Sequence, residues 1–161
     1  MLILKNLAFT VLVPGTVAVL VPQMIISHWS DRNIVVFSVF GFIGMLFIGA
    51  GIVIYFSCLR EFIRARGTPA PMDAPKELVI RGLYQYLRNP MYVGVLCLIV
   101  GQALIFHSFP VLIYAGIVFL MFHLFVVLYE EPKLSRTFGE SYNNYHKKIP
   151  RWFGVRRHHS S

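Results

Sequence analysis

Four long apolar runs in a chain of 161 residues narrow the possible folds more than any other feature of this sequence. They fall at about 7–26, 34–59, 91–109 and 111–129, and a helix that crosses a bilayer needs roughly 20 apolar residues at about 1.5 Å of rise each. The first, third and fourth runs are about that length. The second crosses with tilt or runs past the hydrocarbon edge. Charged residues make up 14% of the chain, against ~25% in soluble domains, and the rich supply of Phe and Tyr suits a lipid-facing surface with interfacial rings. The expected fold is all-α: a single domain over residues 1–161, a polytopic membrane helical bundle of about four transmembrane helices plus a C-terminal interfacial amphipathic helix.

Within the runs, Pro14 and Pro22 interrupt the first helix, which a membrane helix tolerates when neighbours satisfy the freed carbonyls. Gly41, Gly44, Gly49 and Gly51 give the second run small surfaces for close helix approach. Cys58 and Cys97 have no ligand partner at metal spacing and are read as packing residues; no metal site is expected. The first run begins almost at Met1 and no small-residue cleavage pattern follows it, so it is read as a span rather than a removed signal.

Charge orients the bundle. With four spans, the N-terminus, the 60–90 loop and the 130–161 tail share one side. That side carries Lys5, six basic residues in the loop and seven in the tail, against Arg32 alone on the other. Loop and tail are therefore expected in the cytoplasm. The formal charge of +8 is explained by this asymmetry, and no nucleic-acid partner is expected. The compact length suits a prokaryotic inner membrane.

The polar chemistry sits on that face. Asn89-Pro90 reads as a helix start, with Asn89 capping orphan N–H groups and Pro90 at the first helical position. The terminus attracts anions, and Arg88 beside it either receives a carboxylate or phosphate or snorkels to lipid headgroups. The fourth run closes with Tyr129-Glu130-Glu131-Pro132, and two carboxylates at a helix C-terminus are poorly placed. Either both reach water, or a bound cation or an arginine of the loop lies against them. The short link near His107-Ser108-Phe109-Pro110 makes the third and fourth runs a hairpin, which sets the Asn89-Pro90 start beside the Glu130-Glu131 end. An anion-attracting terminus beside carboxylates complements a zwitterion such as the amino-acid moiety of S-adenosylmethionine. In the tail, Leu134, Phe138, Tyr142, Tyr145 and Ile149 fall on one face of an amphipathic helix, a stripe that packs or covers a pocket. Pro150-Arg151-Trp152 ends that helix. His123 and His146 are read as a core and an interfacial residue.

Taken in order, Arg88-Asn89-Pro90-x-Tyr92-x-Gly94, Glu130-Glu131-x-x-Leu134, Phe138-Gly139-x-x-Tyr142-x-x-Tyr145 and Pro150-Arg151 resemble the isoprenylcysteine carboxyl methyltransferase family and the related phospholipid N-methyltransferases. Gly67-Thr68-Pro69-Ala70-Pro71 is similar to the small prokaryotic members, and the likeness runs over about residues 66–152. Eukaryotic isoprenylcysteine enzymes carry His at the place of Asn89. The resemblance implies an integral membrane enzyme that uses S-adenosylmethionine from the cytoplasmic side. It implies a cofactor pocket of Arg88, Asn89, Pro90, Tyr92, Gly94, Glu130, Glu131, Tyr142 and Tyr145, with Arg88, Glu130 and Arg151 as the residues closest to the chemistry. The implied partners are membrane lipids and a lipophilic small-molecule or lipid acceptor, either an isoprenylcysteine-type carboxylate or a phospholipid amine. A non-enzymatic membrane protein that keeps the scaffold to bind a lipid or a partner is the alternative. A transporter is disfavoured because His123 is the one ionisable residue near midplane.

Overall fold

The computed structural model describes residues 14–29, 38–64, 78 and 80–152, and every described element is helical. Residues 7–13 of the first run, the link containing Arg32, residues 65–77 and 79 of the 60–90 loop with its Gly67–Pro71 segment, and the basic C-terminus from residue 153 lie outside the described residues. Five helices result: α1 (Thr16–Trp29), α2 (Val39–Arg64), α3 (Pro90–Ile105), α4 (Phe109–Phe138) and α5 (Glu140–Lys148), with a short 3-10 turn at Gly82–Gln85.

Two of them, α2 and α4, are long and apolar enough to cross a membrane, and only 22% of the apolar window of each is buried inside the protein. A core helix of a soluble domain would be mostly buried. Here Phe40, Phe42, Val53 and Phe56 of α2 and Ile113, Ile117, Leu120 and Met121 of α4 face outward. That is the pattern of a surface solvated by hydrocarbon. Helix α3, at 16 residues, reaches about 24 Å, short of a ~30 Å hydrocarbon core. α1 is shorter still among the described residues.

The tightest packing joins α2 to α3. A Cβ built on Gly44 would lie 2.7 Å from the Gly101 carbonyl oxygen, and one on Gly51 would lie 2.8 Å from that of Gly94. These paired glycines let the two backbones touch, as small residues do where helices meet in lipid. Gly49, on the same run, faces open space and takes no part in the seam.

Pro22, inside the first apolar run, is passed by widening the helix. In α1, residues Thr16–Leu20 form π turns and the Val21 N–H reaches the Thr16 carbonyl. Pro22 has no N–H, so the carbonyls of Ala18 and Val17 lose their regular donors. Gln102 Nε2 donates to the Ala18 oxygen at 2.6 Å and the Tyr114 hydroxyl to the Val17 oxygen at 3.0 Å. Gln23 Nε2 donates to Gln102 Oε1 at 3.0 Å and closes the network. Side chains of neighbouring helices thus supply what water supplies elsewhere.

The same device changes the expected end of the fourth run. Residues Val126–Glu130 form π turns in which the Glu131 N–H bonds the Val126 carbonyl, and the helix continues through Pro132 to Phe138. Glu130 and Glu131 therefore lie within α4, not at its C-terminus, and no opposing helix dipole acts on them. The second run likewise stays helical to Arg64, five residues beyond its expected end at 59. The third ends at Ile105 and turns through Phe106, His107 and Ser108. There the Ser108 Oγ accepts from the Val111 N–H, and Phe109 and Pro110 already belong to α4.

The amphipathic tail is also two pieces rather than one helix. Gly139, at φ +55° and ψ −124°, breaks it between α4 and α5, a conformation that side-chain-bearing residues avoid. The apolar face nonetheless closes up across the break. Tyr142, Tyr145 and Ile149 are buried together, with Leu134, Phe138 and Leu78 packed against them.

Candidate active site

The hairpin sets the start of α3 beside the carboxylates of α4, and the segment after α5 returns over both. The Arg88 N–H donates to the Pro150 carbonyl at 2.9 Å. Asn89 occupies the N-cap position of α3 and Pro90 its first turn, but the Asn89 side chain makes no capping bond. Its Nδ2 donates instead to the Arg151 carbonyl at 3.1 Å. The expected cap is thus corrected to a tie that binds residues 149–152 across the helix start. A backbone carbonyl 62 positions away won over the local N–H groups, a competition open to any Asn with a flexible amide.

Glu131 is the electrostatic hub. Arg88 Nη1 lies 2.8 Å from its Oε1, Arg151 donates from Nε at 2.7 Å and from Nη2 at 2.9 Å, and His146 Nε2 stands 3.5 Å away. The carboxylate pair at the helix margin is thus compensated by a loop arginine, as one of the two sequence expectations held, and also by an arginine from the tail. The bidentate Arg151 contact has the planar geometry that guanidinium and carboxylate share. That bond with Glu131 pushes Arg151 further above its ordinary range, so the arginine is charged at every working pH.

Arg88 itself is almost enclosed, with 9% of its side chain exposed. Nη1 also lies 3.5 Å from the Tyr142 hydroxyl, while Nε is buried with no acceptor among the described residues. A buried guanidinium N–H without an acceptor is costly. Glu130 makes a different contact: the Tyr92 hydroxyl donates to its Oε1 at 2.7 Å. No arginine reaches it among the described residues, so the two adjacent carboxylates are electrostatically unlike.

The remaining sequence candidates divide. Tyr142 lies at the edge of the arginine cluster. The Tyr145 hydroxyl donates to the Tyr84 carbonyl at 2.7 Å and ties α5 to the 3-10 turn; burial raises the phenol's pKa, which keeps it a donor. Gly94 faces the α2 backbone, where a Cβ would meet the Gly51 oxygen and the Tyr55 nitrogen, both at 3.1 Å. Its small size therefore serves the seam. Pro90 is buried at the helix start. Two residues outside the candidate set also matter locally: Trp152 Nε1 donates to His123 Nδ1 at 3.1 Å, and Trp152 packs on Tyr92 and Phe119. His123 is thus tied to the tail and does not stand as an isolated core histidine. Nothing local in the sequence connects the two; a Trp four residues beyond the tail helix and an ionisable residue inside an apolar run were the available signals.

Two helices of membrane length, with an arginine–carboxylate cluster where α3 begins beside α4, mark a helical protein of the membrane-associated class. Comparison with known proteins sharpens it. Residues 35–141 match the family model described as phospholipid methyltransferase. A stretch of 73 residues is 34% identical to the protein named protein-S-isoprenylcysteine O-methyltransferase from Schizosaccharomyces pombe, covering 45% of this chain and 31% of that relative. No solved structure matches. The chain belongs to the phospholipid methyltransferase family.

Proposed function

We propose that this protein transfers a methyl group from S-adenosylmethionine to a lipophilic acceptor held in the membrane, either an isoprenylcysteine-type carboxylate or a phospholipid amine. The observation that carries the reading is the buried Arg88 Nε without an acceptor, together with a Glu130 carboxylate that pairs with Tyr92 and with no arginine among the described residues. An anion-seeking donor and an uncompensated carboxylate on one corner match the two charges of an α-amino acid.

In this reading residues 1–161 form one domain with four spans, one for each of the four apolar runs. α5 lies at the interface, and the loop and tail face the cytoplasm of a prokaryotic inner membrane. The fourteen-to-one distribution of basic residues supports the orientation. Exposed apolar side chains along α2 and α4 support the embedding. Arg88 and the α3 start receive the carboxylate of the cofactor, and Glu130 receives its amino group or ribose hydroxyls. Asn89, Pro90, Tyr92, Tyr142 and Tyr145 wall the pocket, with Gly94 holding α3 against α2. The donor fit is good: Arg88 has a buried N–H to spare, and one Glu130 oxygen is left after Tyr92 has donated to the other.

S-adenosylmethionine supplies a methyl already activated by its sulfonium, so the protein's work is alignment. Orientation alone lowers such barriers by several kcal/mol. Glu131, clamped by Arg88 and Arg151, fixes both guanidiniums. Tyr92 fixes the Glu130 carboxylate, so that its other oxygen is held toward the cofactor. Arg151, half committed to Glu131, can steady an anionic acceptor. The aromatic wall of Tyr92, Phe122 and Trp152 excludes water.

The test is calorimetric titration of the purified protein with S-adenosylmethionine, followed by labelled methyl transfer to extracted membrane lipids. Glu130→Gln is expected to weaken cofactor binding at least ~10-fold, in line with loss of one charged hydrogen bond. Binding unchanged in both Glu130→Gln and Arg88→Met would sink the site assignment. A wild-type protein that binds no S-adenosylmethionine would favour the non-enzymatic lipid-binding alternative.

A further inference from the structure

One polar pair lies outside the arginine–carboxylate cluster and inside the apolar length of α4. His123 sits seven residues before Glu130 on the same helix, two turns or about 10 Å deeper along the axis. Its Nδ1 accepts from Trp152 Nε1 at 3.1 Å, so the neutral ring carries its proton on Nε2. Among the described residues no group accepts from Nε2, yet that nitrogen is not among the buried atoms that lack a partner. The donor therefore reaches the protein surface. That surface is apolar: Phe119, one turn away and 40% exposed, packs against both His123 and Trp152. A histidine N–H presented to hydrocarbon is expensive unless something there accepts from it.

A continuous strip of rings joins this pair to the candidate active site. Trp152 packs on Tyr92 with centroids 6.3 Å apart, Tyr92 on Phe122 at 4.5 Å, and the Tyr92 hydroxyl donates to Glu130. A ligand lying along the strip meets a carboxylate at its upper end and a single N–H donor two turns below. A prenyl chain is a hydrocarbon and offers no acceptor at the lower position. A glycerophospholipid does: its ester carbonyls lie below its headgroup by about such a distance. We propose that the His123–Trp152 pair is a subsite for an ester carbonyl of a glycerophospholipid acceptor, positioned so that the lipid headgroup meets the Tyr92–Glu130 corner. The proposal rests on the methyl-transfer reading for its headgroup end, but the subsite itself is a binding claim. His123 is the specificity-determining donor and Trp152 fixes its tautomer and orientation.

The test compares two acceptors that differ in the ester alone. The protein is reconstituted in nanodiscs of diether phosphatidylcholine, so that the bulk lipid has no ester carbonyl. Either diester or diether phosphatidylethanolamine is then supplied with labelled S-adenosylmethionine. The wild type is expected to show a KM about fivefold lower for the diester lipid, the yield of one hydrogen bond. His123→Phe should abolish that preference, and His123→Gln, which keeps an N–H at similar reach, should retain it. Equal KM values in the wild type, or a preference that survives His123→Phe, overturn the proposal. If neither lipid is methylated, the methyl-transfer reading fails alone and binding decides. In a Trp29→Phe background Trp152 is the single tryptophan, and its fluorescence is titrated with each lipid. A diester midpoint about fivefold tighter supports the subsite; coincident midpoints overturn it.

Discussion

Glu131→Gln isolates the hub of the charged cluster. The substitution keeps the side chain's shape and removes the charge that faces Arg88 at 2.8 Å and Arg151 at 2.7 Å. Arg88, with 9% of its side chain exposed, has no route to water, whereas Arg151 is 29% exposed and can rehydrate. Breaking a buried ion pair from one side costs about 3–5 kcal/mol, because the surviving charge stays desolvated. The escape open to Arg151 places the expected loss at the lower end, about 3 kcal/mol, or roughly 100-fold in the folding equilibrium. Reversible unfolding of the purified protein in mixed micelles measures it directly. A double-mutant cycle with Arg88→Met should return a coupling of at least ~1 kcal/mol, since the pair shares a hydrogen bond. A loss below about 0.5 kcal/mol, the range of an ordinary surface change, combined with additivity in the cycle, would refute the account of Glu131 as a clamped structural carboxylate.

Other substitutions probe separate parts of the fold by the same unfolding measurement. Gly101→Ala would set a methyl 2.6 Å from Ile48 Cγ1 and 2.7 Å from the Gly44 oxygen, and a loss of about 2 kcal/mol is expected from overpacking. Gly49→Ala, with nothing within 4 Å of the new methyl, should be neutral or slightly stabilising through helix propensity. Gly139→Ala must hold φ at +55° and is expected to cost about 1–2 kcal/mol. Tyr145→Phe removes the 2.7 Å bond to the Tyr84 carbonyl and should cost about 1 kcal/mol, without moving S-adenosylmethionine affinity by more than about twofold. A larger change in affinity would assign the Tyr145 hydroxyl to the cofactor.

Much of the site's neighbourhood was legible because it depends on short-range signals. Asn89-Pro90 announces a helix start, and the short link at His107-Ser108 compels α3 and α4 to lie side by side, which brings Arg88 to the Glu130-Glu131 pair. The face of Leu134, Phe138, Tyr142, Tyr145 and Ile149 was readable from its period alone, and it survives a break in the helix that carries it. The details that escaped are those decided by competition. Pro132 reads as a stop, but π turns at Val126–Glu130 carry the helix past it, and local sequence does not distinguish a terminated helix from a widened one. Asn89 reads as a cap, yet a distant carbonyl takes its amide. Arg151 and Glu131 are both visible in the chain, but their bidentate contact depends on how α5 folds back, which the positive-φ turn at Gly139 directs.

The glycine seam between α2 and α3 bears on how such a protein can work. Two helices whose backbones touch at Gly44–Gly101 and Gly51–Gly94, with Ile48, Leu98 and Ile105 packed directly onto those glycines, have little room to slide and move as one plank. Compliance must reside elsewhere, on the α4 side, where α3 and α4 meet through flexible rings and α4 is softened by its π turns. A bilayer molecule that exchanges at this protein therefore does so past a yielding wall set against a stiff one. Stiffening the soft wall should slow turnover more than any change along the plank that leaves it intact.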